Sequence, residues 1–165
     1  MRNGYGIYNN ENLIIESIWK LDKINDYVSV KYKDSLSFRG YAMTGVQPIY
    51  ENDEMIKPVT NCFGLTRVYW SNGKMRYVGH YSKGKKNSKF SMVMGKNGQL
   101  SYVGGFENDL FDGKGVEFSS DRKFEIKRKG VFRSGVLSGG IGYEMVDDAF
   151  NCGYFMAGQV QNTSR

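Results

Sequence analysis

The sequence predicts an all-β fold made of consecutive β-hairpins, and three observations support this prediction. An aromatic, a spacer and a glycine recur together, at 77–81 (YVGHY) and 102–106 (YVGGF), with a variant at 128–132 (RKGVF). The closing aromatics of these segments are 25 and 26 residues apart, and a fixed period of this length is typical of folds that stack small units. The 12 Tyr, 10 Phe and 21 Gly among 165 residues also favour strands and tight turns over helices.

One unit can be followed residue by residue from Tyr102. Tyr102, Gly104 and Phe106 occupy alternate positions of a period-two strand, which places the two rings on one face with the glycine between them. We expect that glycine to let an aromatic ring of the neighbouring unit lie against bare backbone. Asn108-Asp109 predicts a turn, 112–118 a returning strand and 119–122 the next turn. The product is a hairpin that is too small to be stable alone.

The period is interrupted between Tyr41 and Tyr81. These aromatics are 40 residues apart, which is about two short units. The interval contains Pro48, Pro58 and the acidic run 51–54, which are typical of a loop. We therefore expect a degenerate unit or an irregular insertion near 42–63.

The pattern resembles the MORN repeat family, whose unit reads tyrosine, spacer, glycine, spacer, aromatic, a glycine-lysine turn and a Gly-x-Gly strand. Residues 77–85 match it one by one, 106–115 match with Asp109 in place of the turn glycine, and 132–142 match again. The resemblance covers roughly residues 4–142 and is closest over 64–142. It implies an elongated, twisted antiparallel sheet of about six consecutive hairpins over 1–142, with aromatics layered over glycines along a groove.

The remaining residues depart from the pattern. We expect 143–158 to form a C-terminal cap, because terminal units of a repeat array need an atypical cover. Residues 159–165 are expected to be disordered. At the other end the array opens at Gly4-Tyr5-Gly6 without an opening strand, so an unpaired sheet edge is predicted there. Such an edge is a template for self-association or for pairing with a partner.

Basic residues supply the strongest functional signal. The net charge is +6, and residues 66–133 alone carry 15 basic and 6 acidic side chains. Equivalent positions of stacked hairpins line up, so two basic groups are predicted to form one stripe: Lys83, Lys85, Lys86, Lys89, Arg122, Lys123, Lys127, Arg128 and Lys129. A stripe of this kind attracts anionic lipid, nucleic acid or an acidic protein surface, or it only keeps an aromatic-rich protein soluble.

Catalytic, cofactor and metal sites are not predicted. Residues 79–86 nearly spell a phosphate-binding loop, but Lys86 stands where that loop needs a hydroxyl, and the same residues fit a strand and a turn. His80 is the only histidine and is expected on the face opposite Tyr77 and Tyr81, without a partner for zinc or acid–base chemistry. The Asp109/Asp112 and Asp147/Asp148 pairs are expected to be solvated turn residues.

Cys62 and Cys152 are the only cysteines, too few for a disulfide scaffold, and are expected to be small buried residues. A reducing, cytoplasmic location is therefore expected. No stretch approaches the roughly 18 apolar residues that cross a bilayer.

Proteins with MORN-like arrays mostly serve as scaffolds and adaptors, and the repeats are not catalytic. The resemblance therefore implies a non-enzymatic protein–protein interaction module that occupies a partner's surface. The contact is expected through the basic stripe or through an aromatic groove lined by Tyr77, Tyr81, Tyr102, Phe106 and Phe132. Two alternatives stay open: a small bacterial or viral inhibitor or immunity protein that blocks a nuclease or toxin, and anionic-lipid binding through the basic stripe.

Overall fold

The structure, a computed structural model, describes residues 1–42, 48–58, 61–122, 125–147 and 149–161. Every regular element in these ranges is a β-strand, which confirms the all-β prediction. Within the same ranges, no helix has the length and apolar character that a membrane crossing requires. The strands are β1 (Gly4–Asn9), β2 (Leu13–Lys20), β3 (Lys23–Tyr32), β4 (Ser35–Ala42), β5 (Ile49–Glu51), β6 (Glu54–Lys57), β7 (Cys62–Tyr69), β8 (Met75–Ser82), β9 (Lys85–Lys86), β10 (Ser88–Met94), β11 (Leu100–Glu107), β12 (Leu110–Phe118), β13 (Ile126–Arg133), β14 (Val136–Leu137), β15 (Gly140–Val146), β16 (Ala149–Met156) and β17 (Gln159–Gln161).

The chain divides into two compact units. Unit 1 comprises Met1–Lys85 and Lys96–Gly98, and its main sheet has the strand order β1-β2-β3-β4-β7-β8. Unit 2 comprises Lys86–Gly95 and Gln99–Arg165, and its sheet has the order β10-β11-β12-β13-β15-β16-β17. The strand pairs within each unit are antiparallel, and within a unit each long strand pairs with the next long strand. Each unit is therefore a run of hairpins.

Two-residue turns with left-handed backbone close many of these hairpins. Both central residues have positive φ in Leu21-Asp22, Lys33-Asp34, Asn52-Asp53, Lys83-Gly84, Asn108-Asp109, Ser134-Gly135 and Ala157-Gly158. This geometry is typical of the type I′ turn, whose twist matches that of the strands it joins. Gly, Asn and Asp tolerate the left-handed region best, and the second residue of these seven turns is Asp or Gly in every case. The predicted turn at Asn108-Asp109 is confirmed.

The second residue of five of these turns binds the preceding hairpin of the same unit. Its backbone N–H donates to a carbonyl 20 to 24 residues earlier, in the pairs Asp22–Arg2, Gly84–Cys62, Asp109–Lys86, Gly135–Phe111 and Gly158–Leu137, at 2.7–3.1 Å. Where the turn residue is Asp, its carboxylate also accepts the opposing N–H, from Arg2 at 2.7 Å and from Lys86 at 2.9 Å. The hydrogen bond from Arg2 lowers the pKa of Asp22. The turns themselves recur with the sequence period, since Gly84, Asp109 and Gly135 are 25 and 26 residues apart, and Asp can replace the turn glycine.

A row of glycines crosses unit 2. Gly104 pairs with Gly115, Gly115 with Gly130, and Gly142 with Gly153 on β11, β12, β13, β15 and β16. Gly130 and Gly142 are also neighbours, because a Cβ atom built on Gly130 would lie 3.1 Å from the Cα of Gly142. Gly104 and Gly130 of the recurring sequence segments therefore lie in one line across the sheet of unit 2.

Tyr102 is the ring that covers one end of this row. A Cβ atom built on Gly115 would lie 2.8 Å from two of its ring carbons, so the ring rests on bare backbone. Its hydroxyl donates to the carbonyl of Gly105 at 2.9 Å, and its ring stacks on Phe111 with centroids 3.7 Å apart. The expectation that a ring of the neighbouring unit covers Gly104 is wrong. Tyr102 precedes Gly104 by two residues on β11 and covers both Gly104 and Gly115 within one hairpin.

The corresponding row in unit 1 contains small residues of several kinds. In register order Gly6, Ser17, Val28 and Gly40 pair from β1 to β4, and Thr66 pairs with Gly79 between β7 and β8. The Phe38 ring lies over Gly40, where an added Cβ would be 3.0 Å from its tip. The Trp19 indole N–H donates to the Gly6 carbonyl at 3.0 Å. This mixture of residues explains why the repeat is weaker in the first half of the sequence.

The predicted insertion contains a hairpin of its own. β5 and β6 form a separate two-stranded sheet, whose turn Asn52-Asp53 lies in the acidic run. β4 pairs directly with β7, so this hairpin leaves the main sheet and returns to it. Tyr50 holds it, since its ring stacks on Tyr32 at 3.9 Å and its hydroxyl hydrogen bonds to Ser37. The insertion is therefore where it was expected but regular over 49–57, while 43–47 and 59–60 lie outside the described residues.

The C-terminal residues also differ from the expectation. β16, within the predicted cap, pairs with β15 along its whole length as in the earlier hairpins. Gln159–Gln161 were expected to be disordered but form β17, because their backbone pairs with β16 after the turn Ala157-Gly158. Residues 162–165 of the predicted tail lie outside the described residues.

Replacing Gly115 with alanine should be strongly destabilising. We expect the free energy of unfolding to fall by about 2 kcal/mol or more, because the new methyl group overlaps the buried Tyr102 ring. The control is Gly113→Ala, where φ is +81° but no atom lies within 4 Å of the new Cβ. That change should cost about 1 kcal/mol from backbone strain alone. Urea denaturation measures both, and equal losses would contradict the close approach of ring and backbone.

Alkaline pH should destabilise the protein through its buried tyrosines. Burial raises the pKa of Tyr102, and likewise of Tyr50, to about 12 from the ordinary tyrosine value of 10.0. Because the folded pKa is higher, this contribution to stability is complete below pH 10 and is lost as the pH rises through about 12. The urea midpoint of the wild type should fall over that range, and that of Tyr50→Phe/Tyr102→Phe should fall less steeply. Parallel pH profiles of the two proteins would refute this explanation.

Candidate functional site

A row of apolar side chains crosses the solvent-facing side of the unit 1 sheet. Strand alternation puts Ile15, Val28 and Phe38 in the core and their sequence neighbours on the opposite, outward face. On that face Tyr5 pairs with Ile18, Tyr27 with Tyr41, and Tyr41 with Phe63. Ile18 lies beside Tyr27, one position from the Ser17–Val28 pair. We call Tyr5, Ile18, Tyr27, Tyr41 and Phe63 the exposed ladder.

The exposed ladder is a continuous surface of partly exposed side chains. The exposed fractions are 72% for Tyr5, 43% for Ile18, 42% for Tyr27, 40% for Tyr41 and 39% for Phe63. The Tyr27 and Tyr41 rings meet edge to face at 5.5 Å, and the Tyr41 and Phe63 rings are tilted at 5.9 Å. With neighbouring strands about 4.8 Å apart, the ladder is about 19 Å long. Contiguous apolar surface of this kind marks an interaction site more often than scattered exposed residues do.

Two arginines lie directly opposite each other beside the exposed ladder. Arg39 on β4 pairs in register with Arg67 on β7, and both are on the outward face. Arg39 is two residues from Tyr41, whereas Arg67 is four residues from Phe63, with Leu65 between them. Like charges opposite one another on a sheet are destabilising. Neither guanidinium forms an ion pair or a hydrogen bond within the described part of the chain. The sheet thus keeps an unfavourable pair of cations next to an apolar surface.

One acidic side chain shares this row of the outward face. Glu16 pairs with Ser29, and Ser29 pairs with Arg39, so the Cα atoms of Glu16 and Arg39 are two strand spacings, about 10 Å, apart. That separation is near the Debye length at physiological ionic strength, so Glu16 relieves the repulsion between the arginines only slightly.

The predicted aromatic groove is a core instead. Tyr77, Tyr81, Tyr102, Phe106 and Phe132 are 0–7% exposed in the structure. In unit 1, Tyr77 and Tyr81 pack edge to face at 5.4 Å, and in unit 2 the rings of Tyr102, Phe106 and Phe132 surround Phe111. Because their ring faces are occupied by one another and by glycine backbone, they present no surface to a partner. The prediction that they line a binding groove is therefore wrong.

The residues of the predicted basic stripe have different environments. Lys83 and Lys85 are exposed in unit 1, and Lys89 is exposed in unit 2. In unit 2 the Lys86 ammonium lies 5.3 Å from the centroid of the Phe106 ring. Lys129 is exposed and belongs to the outward face of its sheet, where it pairs with Val116 and Tyr143.

Three further members of the stripe lie around Glu117 and Glu125. The Arg128 guanidinium is half-buried and forms an ion pair with Glu117 at 2.5 Å, on the side opposite Lys129. Lys127 contacts the same carboxylate at 3.5 Å, and Arg122 contacts Glu125 at 3.4 Å. Lys123 lies outside the described residues. Lys127 and Arg128 thus share one carboxylate of their own sheet, and the binding role of the stripe stays a prediction.

The residues considered for catalysis, ligand binding or metal binding belong to strands and turns, and they do not form a common site within the described part of the chain. Residues 79–82 belong to β8 and Lys83-Gly84 to a turn, so the resemblance to a phosphate-binding loop is only in the letters. His80 is exposed and lies opposite Leu65, on the face predicted for it. Cys62 is buried as expected, whereas Cys152 is exposed. Among the described residues, no three His, Cys, Asp or Glu side chains are grouped closely enough to hold a metal ion.

Sequence reasoning missed the exposed ladder although the signal is present. In 38–41 (FRGY) the alternation that puts Phe38 and Gly40 in the core puts Arg39 and Tyr41 on the other face. Tyr27 likewise alternates with Val28 and Val30. In each of these strands, parity distinguishes the side chain in the core from the ring on the outward face.

No protein-family model matches the chain, and no curated protein matches it at a significant level. The resemblance to MORN repeats therefore stays a prediction from the residues. The hairpin period, the turns that bind the preceding hairpin and the glycine row are properties of this structure in their own right.

Reversing one charge of the arginine pair should stabilise the protein. We expect Arg39→Glu to raise the free energy of unfolding by about 0.5 kcal/mol, because repulsion across the strands becomes attraction to Arg67. The control is Lys83→Glu, an exposed turn lysine that makes no ion pair. Urea denaturation at low salt measures the difference, which should shrink as NaCl is added. A loss of stability in Arg39→Glu would show that the two guanidiniums do not repel each other.

Proposed function

We propose that this chain is a non-enzymatic protein–protein interaction module that contacts its partner through the outward face of the unit 1 sheet. The observation that carries the proposal is the exposed ladder, five apolar side chains in one line on the solvent side of a sheet. Tyrosine and phenylalanine supply large contact areas at a low cost in side-chain entropy, and arginine is enriched with them at interfaces. Arg39 and Arg67 border this ladder.

The way the sheet is built supports this assignment. The glycine and small-residue row, together with the rings that cover it, occupies the core face of unit 1 and leaves the outward face free of those structural demands. The outward aromatics are not required to cover backbone, and a solvated strand face ordinarily alternates to polar residues. Their presence is therefore explained better by a contact than by folding.

The charged groups support a binding rather than a catalytic role. Asp22 and Asp109 accept hydrogen bonds from the backbone of the preceding hairpin, and Glu117 is paired with Arg128. These carboxylates therefore stabilise the structure of their own units. A module of this kind also suits an inhibitor that covers a partner's working surface, since the ladder acts by shape and apolar area.

Removing two central rings should abolish the interaction. We expect Tyr27→Ser/Tyr41→Ser to lower recovery of a specific protein from the source cells at least about tenfold, because hot-spot aromatics carry much of an interface's free energy. Quantitative mass spectrometry of the tagged full chain identifies the protein, and direct binding is then measured with the purified components. The control variant is Phe90→Ser/Ile141→Ser, which removes exposed apolar side chains of unit 2.

A thermal melt of each variant accompanies the binding measurement. The ladder variant should remain folded, because only a cross-strand pair of partly exposed rings is lost. If the ladder and control variants bind the purified partner as tightly as the wild type does, the outward face of unit 1 is not the interface.

A further inference from the structure

We propose that Arg39 and Arg67 are an anion-binding pair, and that the partner segment lying on the exposed ladder is an acidic peptide. One carboxylate of that segment is held between the two guanidiniums, while its apolar side chains pack on Tyr27, Tyr41 and Phe63. This inference rests on the proposed function, since it names the chemistry of the partner at the same surface.

The geometry of the arginine pair supports a single anionic group between the two side chains. Directly opposed residues of an antiparallel pair have Cα atoms about 4.5 to 5.5 Å apart. The long side chains of Arg39 and Arg67 can therefore both reach a single anionic group of a ligand. A guanidinium presents its donors as a planar fork that matches a carboxylate. The two like charges repel each other until an anion lies between them. A bound carboxylate converts that repulsion into two attractions.

The apolar neighbours make the contact stronger than a surface ion pair. Arg39 and Tyr41 are two residues apart on β4, so both project from the same face about 7 Å apart along the strand. A peptide whose side chains cover Tyr41 excludes water from the adjacent Arg39 guanidinium and from Arg67, which lies opposite it. Charge-assisted hydrogen bonds gain strength as local water is removed. An acidic residue next to apolar ones in the partner therefore matches both parts of the site.

The charge pattern of the outward face favours a peptide over single-stranded nucleic acid. A nucleic acid needs cations that follow its phosphates along a groove and open ring faces on which bases can stack. Here the row next to the ladder runs Ile7, Glu16, Ser29, Arg39, Arg67 and Val78, so its cations are confined to one point and an acid lies in the same row. Tyr27 and Tyr41 also meet edge to face, and Ile18 interrupts the rings.

The test uses a library of random 12-residue peptides displayed on phage and selected on the immobilised full chain at low salt. Wild-type protein should enrich peptides in which Asp or Glu is adjacent to aromatic or aliphatic residues. The best peptide is synthesised, and its affinity is measured by fluorescence anisotropy. We expect Arg39→Gln/Arg67→Gln to weaken binding at least about tenfold, and 0.5 M NaCl to weaken wild-type binding to a similar extent. Replacing the peptide's Glu with Gln should have the same effect.

The matched control is Lys83→Gln/Lys85→Gln, which removes the same charge from exposed positions of unit 1 outside the ladder. It should bind the peptide within about twofold of wild type. Misfolding is distinguished by a melt, because Arg39→Glu should bind weakly and yet be no less stable than the wild type.

Three outcomes decide between the proposals. In the first outcome, the selected peptides need Tyr27 and Tyr41 but show no preference for acidic residues and bind Arg39→Gln/Arg67→Gln normally. This result overturns the proposal of an acidic partner and supports the proposed interaction surface. In the second outcome, the peptides bind the Tyr27→Ser/Tyr41→Ser and Arg39→Gln/Arg67→Gln variants as tightly as the wild type. This result overturns the proposed function as well. An oligonucleotide probe of twelve thymidines that binds more tightly than the best peptide, with the same dependence on Arg39 and Arg67, shows that the occupant is nucleic acid instead.

Discussion

The close approach of aromatic rings to glycine backbone is the constraint on which the rest of the structure depends. In unit 2 the Tyr102 ring fills the volume that side chains at Gly104 and Gly115 would take, and its hydroxyl satisfies the Gly105 carbonyl. This close packing gives a small hairpin a core. A buried aromatic ring removes a large apolar area from water, and the ring fits only because the residues beneath it are glycines. The recurring aromatic and glycine are therefore one structural unit, and neither is free for ligand chemistry.

Covering one side of the sheet with its own rings fixes what the other side can do. The rings of Tyr77, Tyr81 and Phe38 are buried on the inner face of unit 1. The side chains of the outward face are exposed and are not covered by the described residues of that unit. A strand face in water is ordinarily polar. The exposed ladder departs from that rule at five neighbouring strands and in one register.

The sequence predicts the fold well where chemistry is local. The all-β class follows from the aromatic, glycine and turn residues, and Asn108-Asp109 is found as the turn because only a few residue types tolerate two left-handed positions. The exposed ladder and Arg39–Arg67 could not be predicted, because which strands are neighbours across the insertion is a long-range fact. β4 pairs with β7 over about 20 intervening residues, and only that pairing puts the two arginines opposite each other. The prediction of an aromatic groove is wrong because periodicity alone does not distinguish a ring in the core from one on the surface.

The edge and the outward face of unit 1 belong to one surface. β1 pairs with β2 on one side, and its six residues GYGIYN carry no charge and no proline, the features that usually protect a sheet edge. Tyr5 is on that strand and is also the first member of the exposed ladder. A peptide strand that pairs with β1 would place its alternate side chains in line with Tyr5 and so lengthen the ladder by one position. Backbone pairing at the edge and side-chain contact on the face would then be made by the same partner, and the backbone bonds would supply affinity while Arg39 and Arg67 select for charge.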